Sequence, residues 1–165
     1  MKNILGITYG GHDTAAALLI DGKLVAACTQ ERYTRDKHSR LFPNEAVMDC
    51  LAIAGITIDQ VDEIAFVNDI KSKIRGTYLK PAIESDERLD FLFNNIEKMI
   101  RTKNIDQIIR KNLNYKGVIN FYKHHLCHIA SSYYPSGFKD AICLSIDGVG
   151  DNETGIIASG KSGKI

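Results

Sequence analysis

Apolar stretches separated by short polar breaks open the chain. Residues 3–9, 14–20 and 23–28 each read as a strand, and Asp21-Gly22 supplies the tight turn between the last two. Three strands in succession predict a meander. Beyond Pro43, placed at a first helical turn, Ala46, Val47, Cys50, Leu51 and Ala54 recur at helical spacing until Gly55 stops them. Residues 61–67 return as a strand. Ser85 is of N-cap type, Asp86 and Glu87 suit the positive end of a helix, and Leu89, Leu92, Phe93, Ile96, Met99 and Ile100 predict one apolar stripe. A second helix is expected to carry Ile105, Ile108, Ile109 and Leu113. A strand over 118–122, a helix over 124–134 and a strand over 141–146 follow.

A meander followed by alternating strands and helices implies an α/β fold, a mixed sheet with helices packed on it. A ribonuclease-H-like layer fits that order. A Rossmann domain does not, because the first strand leads into a hairpin instead of a crossover helix. A faint echo adds to this: an apolar strand, a Gly-rich polar turn and a second apolar strand occur over 4–24 and again over 144–165. Two Gly-rich hairpins can also resemble each other by chance. The expected organisation is a first lobe over 1–140, with a helical section at about 69–117, and the opening strands of a truncated second lobe over 141–165.

The 165 residues, 44% of them hydrophobic, suffice for a domain with a proper core, which excludes disorder of the whole chain. A formal charge of +1 leaves no broad electrostatic footprint for nucleic acid. Residues 71–116 are locally basic, with eleven Lys or Arg against six Asp or Glu, which suits either a solvated helix face or an anionic partner. The longest uninterrupted apolar run, residues 15–20, is far too short to cross a bilayer, and the N-terminus lacks the order of a signal peptide, so no membrane partner and a cytoplasmic location are expected. The four cysteines form no C-x-x-C pair and read as buried thiols, not disulfides.

Candidate chemistry concentrates near the end. On a helix, His124 and His128 lie one turn apart and can hold one cation between their imidazoles, while His125 projects elsewhere, to orient a neighbour or to meet a substrate phosphate. A capped and packed helix start is the other reading of such histidines. About twenty residues on, a strand delivers Asp147, which completes a two-histidine, one-carboxylate set suited to iron(II), manganese or zinc. Gly148 and Gly150 behind it allow backbone N–H groups to approach a phosphate, or make a plain tight turn. Gly10 and Gly11 with Thr14 offer a second phosphate or acyl cradle in a hairpin turn; His12 there can act as a general base, with Asp13 orienting it or bridging to a metal-bound water. Arg32, Arg35, Lys37, His38 and Arg40 crowd one connection, as phosphate contacts or as a solvated loop.

Taken together, I-L-G-I-x-x-x-x-H-D-x-A-A-A-L-L-x-D-G, E-R-Y-T-R-D-K-H with a following F-P, H-H-x-x-H-I-A-S-S-Y-Y-P-S and L-S-I-D-G-V-G-D resemble the N-terminal part of the O-carbamoyltransferases of nodulation-factor and antibiotic biosynthesis. The likeness runs along nearly the whole chain, matching only in character over about 69–117. It implies the fold of the actin-like ATPase superfamily, close to the enzymes that install threonylcarbamoyl groups on tRNA adenosine. It also implies that a further domain makes carbamoyl adenylate from carbamoyl phosphate and ATP, and that this domain passes the carbamoyl group to a hydroxyl of a small molecule. By the same resemblance His124, His128 and Asp147 are metal ligands, joined by a carboxylate from a second lobe. His12 and Asp13 fall in the transfer site, and Arg35, Lys37 and Arg40 in a basic motif of phosphate or substrate contact. Leu126-Cys127 stand where relatives often carry Glu-Ser, so no acidic residue lies between these histidines. The piece alone is expected not to turn over, and apolar strand edges leave a homo-oligomer open. The competing readings are an ATP-dependent kinase or phosphatase of the same superfamily and a non-catalytic nucleotide-binding regulatory lobe.

Overall fold

A computed structural model describes residues 1–11 and 13–165. Strands β1 (Asn3–Thr8), β2 (Ala15–Ile20) and β3 (Lys23–Thr29) form the expected antiparallel meander, with Asn3 opposite Ile20 and Thr8 opposite Ala15. Asp21 and Gly22 both adopt positive φ, 48° and 77°, as a two-residue turn matched to strand twist requires. A short helix α1 (Glu31–Thr34) precedes α2 (Asn44–Ala54), which ends on Gly55 at φ 66°. A 3₁₀ turn, Ile58–Gln60, held by a Thr57/Gln60 capping box, leads into β4 (Glu63–Val67), parallel to β1.

Next come α3 (Ile70–Ile74), a π-helical turn over Arg75–Leu79, α4 (Lys80–Glu84), α5 (Asp86–Asn94), α6 (Ile96–Lys103) and α7 (Ile105–Leu113). Strand β5 (Val118–Tyr122), helix α8 (His124–Ser136) and the hairpin of β6 (Asp140–Gly150) and β7 (Glu153–Lys161) complete the order. The first sheet runs β3-β2-β1-β4-β5, a mixed sheet of the ribonuclease-H-like kind that the element order predicts; β6 and β7 pair only with each other.

Met1–Val67 with Asn104–Phe121 forms one compact unit, and Asn68–Lys103 with Tyr122–Ile165 a second. In the first, strand alternation sends Leu5, Ile7, Leu18, Ile64 and Phe66 into a core closed by Val47, Cys50 and Leu51 of α2 and Ile109 of α7. Each such side chain contributes on the order of 1.5–3 kcal/mol by leaving water. In the second, Ile129 and Tyr133 of α8 pack on β6 and β7, while Ile142, Leu144, Ile146 and Ile157 of the hairpin stay exposed.

Three local expectations need correction. The stripe from Leu89 to Ile100 belongs to two helices, because Asn95 leaves helical geometry at φ −122° and ψ 15°. Strand β6, expected over 141–146, extends to Gly150 with a register shift after Ile146. All four cysteines are free, but only Cys50 is fully buried. No helix among the described residues is long and apolar enough to cross a membrane.

Candidate metal centre

Helix α8 starts at His124, so His124 and His128 stand one turn apart on one face, as their spacing predicts. Their Nε2 atoms are 2.9 Å apart. Asp147 Oδ2, from β6, lies 3.0 Å from the first and 3.5 Å from the second. All three side chains belong to the second unit, and their ligand atoms lie within 4.8 Å of one another.

The donor set suits a cation. A point equidistant from the three atoms lies about 1.8 Å from each, close to the ~2.0–2.2 Å of zinc-type nitrogen and carboxylate bonds, so the three donors are spaced as a cation would need. Without one, two imidazole nitrogens and a carboxylate oxygen converge with too few protons to satisfy every pair: a proton on His124 Nε2 serves either His128 or Asp147, not both. The His124 hydrogen bond first, and the Gly148 N–H second, hold the Asp147 carboxyl down to about 2. The carboxylate is therefore ionised at any physiological pH. Side-chain exposures of 23%, 52% and 44% for His124, His128 and Asp147 leave room for further ligands.

The turn after Asp147 shapes this arrangement. Gly148 N–H donates to Asp147 Oδ1 at 2.6 Å, which commits one donor of the expected phosphate nest to the ligand itself. Gly150 lies against the His124 imidazole, and a Cβ there would collide with the ring. Asp151, in the left-handed region at φ 56°, is 8% exposed. Its Oδ2 accepts the His124 N–H and its Oδ1 the Asp69 N–H, both at 3.0 Å. A buried anion thus caps the first turn of the histidine helix, where the helix dipole favours negative charge.

His125, expected to orient a neighbour or meet a phosphate, has other partners. It is 1% exposed; its Nε2–H donates to the Glu153 carbonyl at 3.0 Å and its Nδ1 meets Ser145 Oγ at 2.9 Å. Both ring nitrogens are satisfied, so the residue fastens α8 to β6 and β7.

The remaining candidates belong to the first unit. His12 lies outside the described residues. Gly10 has φ 90° and Gly11 is exposed. Asp13 Oδ1 is 2.8 Å from His38 Nδ1, and Thr14 N–H donates to the Ser39 carbonyl at 3.4 Å. The basic connection is thereby laid against the Gly-rich turn. Arg35, Lys37 and Arg40 are exposed there, without ion pairs among the described residues. Buried Gln30 braces the turn from below: its N–H donates to the Thr14 carbonyl at 2.8 Å, and its Nε2 donates to Glu45, which lowers that carboxyl's pKa.

Sequence reasoning did not single out Asp151, Ser145 or the Asp13–His38 pair. Asp151 is visible as the second acid of D-G-V-G-D, but its partners lie 27 and 82 residues away and leave no local signal.

Fold and cluster together define an α/β protein with a candidate metal centre in its second unit. The carbamoyltransferase N-terminus family matches residues 3–165, and the chain belongs to that family. An uncharacterized protein of Synechocystis is 32% identical over 185 residues, covering 100% of this chain and 28% of that relative. Nodulation protein NolNO of Sinorhizobium fredii is 31% identical, covering 93% of this chain and 22% of its own length. The chain thus spans about a quarter of the length of these relatives. Among solved structures, YeaZ from Pseudomonas aeruginosa aligns at TM-score 0.45 and 18% identity, over 89% of this chain and 55% of that one.

Proposed function

We propose that this chain is the transfer-site part of a cytoplasmic O-carbamoyltransferase, which moves a carbamoyl group from carbamoyl adenylate to a hydroxyl of a small molecule. The observation that carries the reading is the convergence of His124, His128 and Asp147 in a chain of the carbamoyltransferase N-terminus family. These three residues would hold a divalent cation, iron(II) by preference and manganese or zinc as alternatives. Bound there, the cation supplies Lewis-acid stabilisation of negative charge on phosphate or carbonyl oxygen.

The remaining work falls to the chain. Asp147 stays ionised and charge-balances the site. Asp151 and His125 keep the histidine helix in place against the hairpin. The exposed guanidinium and ammonium groups of Arg35, Lys37 and Arg40, with Gly10 and Gly11, are suited to phosphate contact, and Gly148 and Gly150 flank the ligand carboxylate. In the transfer the acceptor oxygen bonds to the carbamoyl carbon as the carbon–oxygen bond to phosphate breaks; AMP leaves with the electron pair, and the acceptor's proton goes to a base, for which His12 is the candidate, with Asp13 beside it in sequence. We further propose that β6 and β7 open a second lobe and that the adenylate is made from carbamoyl phosphate and ATP by a further domain.

The test uses the full-length gene product, stripped of metal and titrated with cobalt(II) as a visible-spectrum probe, beside pyrophosphate release from ATP with carbamoyl phosphate as the measure of adenylate formation. His124→Ala and His128→Ala should each lose cobalt binding by at least about 100-fold, with adenylate formation intact. His12→Ala should abolish transfer alone. Wild-type affinity in both histidine variants would refute the assignment. A kinase or phosphatase of the same fold has no need of paired imidazoles and predicts no such loss.

A further inference from the structure

Two thiols of the first unit meet where α2 packs on β3. In β3, Ala26 is buried and Ala27 exposed, so strand alternation turns Cys28 toward α2. Cys28 is paired with Ala16 across the ladder, and the Ala16 carbonyl accepts from Cys50 Sγ at 3.6 Å. The reverse approach is as close: Asp49, beside Cys50 in α2, accepts from Cys28 Sγ on its Oδ2 at 3.5 Å. Each thiol thus touches the immediate neighbour of the other. The adjoining Cys28 is, after burial, the second cause that keeps the Cys50 thiol protonated. The pair is also asymmetric, since Cys28 is half-buried and Cys50 is 0% exposed.

What lies between the two cysteines gives the pair a consequence. The intervening chain carries the whole basic connection, with Arg32, Arg35, Lys37 and Arg40 exposed along it. Side-chain bonds fasten its start to α2: Tyr33 Oη donates to Asp49 Oδ2 at 2.6 Å, and Gln30 Nε2 donates to Glu45. The Tyr33 hydroxyl and the Cys28 thiol therefore share one carboxylate oxygen. A covalent link from Cys28 to Cys50 would close this stretch into a loop of about 22 residues, a length at which a cross-link removes much of the chain's freedom to open. In a reducing compartment the thiols stay free, and such a link forms only under an oxidant.

We propose that Cys28 and Cys50 are an oxidisable dithiol, closed to a disulfide by a hydroperoxide, and that closure staples β3 to α2 and fixes the basic connection between them. Cys28, the more accessible thiol, passes its proton to Asp49 and attacks the peroxide; the O–O bond breaks and an alcohol, or water from hydrogen peroxide, leaves. Cys28 is then a sulfenic acid. The Cys50 sulfur displaces its hydroxyl, which leaves as water with the Cys50 proton as the S–S bond forms. Two thiols lose two electrons and the peroxide gains them. The dithiol stands or falls independently of the carbamoyl-transfer reading.

The experiment treats the reduced full-length gene product with a few equivalents of hydrogen peroxide, alkylates the remaining thiols in denaturant and maps the tryptic peptides by mass. Trypsin places Cys28 in residues 24–32 and Cys50 in residues 41–71. The expected product is these two peptides joined, lighter than the free thiol peptides by the two hydrogens lost, abolished by dithiothreitol and absent from Cys28→Ser and Cys50→Ala. Brief trypsin treatment of the native protein reads the constraint: cutting after Arg35 and Lys37 should slow by about fivefold or more on oxidation and recover on reduction in the wild type, with no change in Cys50→Ala. Cys28 oxidised to sulfinic acid while Cys50 remains alkylatable overturns the pairing. So does a mixture in which Cys28 is joined to Cys127 or Cys143 as often as to Cys50, the pattern expected of protein oxidised in denaturant. A correct link with unchanged trypsin cutting overturns the effect on the basic connection.

Discussion

Replacing Asp151 with Ala removes a buried carboxylate that accepts two backbone N–H groups from different helices, His124 at the start of α8 and Asp69 ahead of α3. Hydrogen bonds to a charged acceptor are worth ~1.5–3 kcal/mol each, and the variant recovers part of the cost of burying the anion, so the expected net loss is about 2–4 kcal/mol. Asp151→Asn keeps one acceptor and turns an NH₂ toward the other donor, so it should lose about half as much. Lys73 feels the same charge. Burial lowers its pKa and the Asp151 charge partly offsets that, so either variant should lower it further. Because His124 is anchored through its own N–H, cobalt(II) affinity should fall by ~10–100-fold even though Asp151 touches no ligand atom. Guanidinium denaturation, hydrogen exchange of the His124 amide and cobalt titration read the three effects. If Asp151→Ala stays within about 0.5 kcal/mol of wild type and the His124 amide remains equally protected, the cap contributes nothing and the reasoning fails.

Gly150→Ala should push the His124 ring from its position and weaken cobalt binding at a cost of ~1–3 kcal/mol in stability, measured by titration and denaturation. His125→Ala leaves the Ser145 hydroxyl and Glu153 carbonyl without their partner, so it should destabilise by about 2–4 kcal/mol while wild-type transfer per folded molecule persists; loss of transfer with full stability would give His125 a chemical role instead. Burial first, and the neighbouring Cys28 second, hold the Cys50 thiol up at about 12 against an ordinary 9.0. A raised folded value stabilises fully below pH 9 and is lost as pH climbs toward 12. The wild type should therefore lose stability relative to Cys50→Ala over that range, with a slope approaching ~1.4 kcal/mol per pH unit, and parallel pH profiles would refute this.

What the sequence made legible is what short range decides. Asp21-Gly22 closes its hairpin with two positive φ angles, and Gly55 ends α2 in the left-handed region, because each requirement is met within a few residues. The histidine pair is equally local, since a spacing of four on a helix places two rings together whatever surrounds them. The helical section is the opposite case. Leu89 through Ile100 keep a helical period across Asn95, yet the backbone of Asn95 leaves helical geometry at φ −122° and divides the stretch in two. Nor did the period predict exposure: Phe93 is 60% and Ile100 48% exposed, because periodicity defines a face without supplying a partner to cover it. His125 reads from sequence as orienting a neighbour or meeting a phosphate, whereas Ser145 and Glu153, 20 and 28 residues on, take both its nitrogens.

The turn Asp147-Gly-Val-Gly-Asp151 shows why the support of a site is harder to read than the site. A carboxylate at the end of a strand is enough to suggest a ligand, and glycines behind it suggest a phosphate nest. Three of the five positions do something else: Gly148 gives its N–H back to Asp147, Gly150 makes way for the His124 ring, and Asp151 caps the helix that carries that ring. The last two depend on the hairpin and α8 meeting, which no window of sequence contains. The order also matters physically. With Asp147 bound to His124 Nε2 and Asp151 to His124 N–H, one histidine is held at ring and backbone by two acids four residues apart, so the turn sets both where α8 begins and how its first imidazole points. Lengthening that turn by one residue should therefore cost metal binding and the start of the helix together, whereas a lost ligand alone would spare the helix.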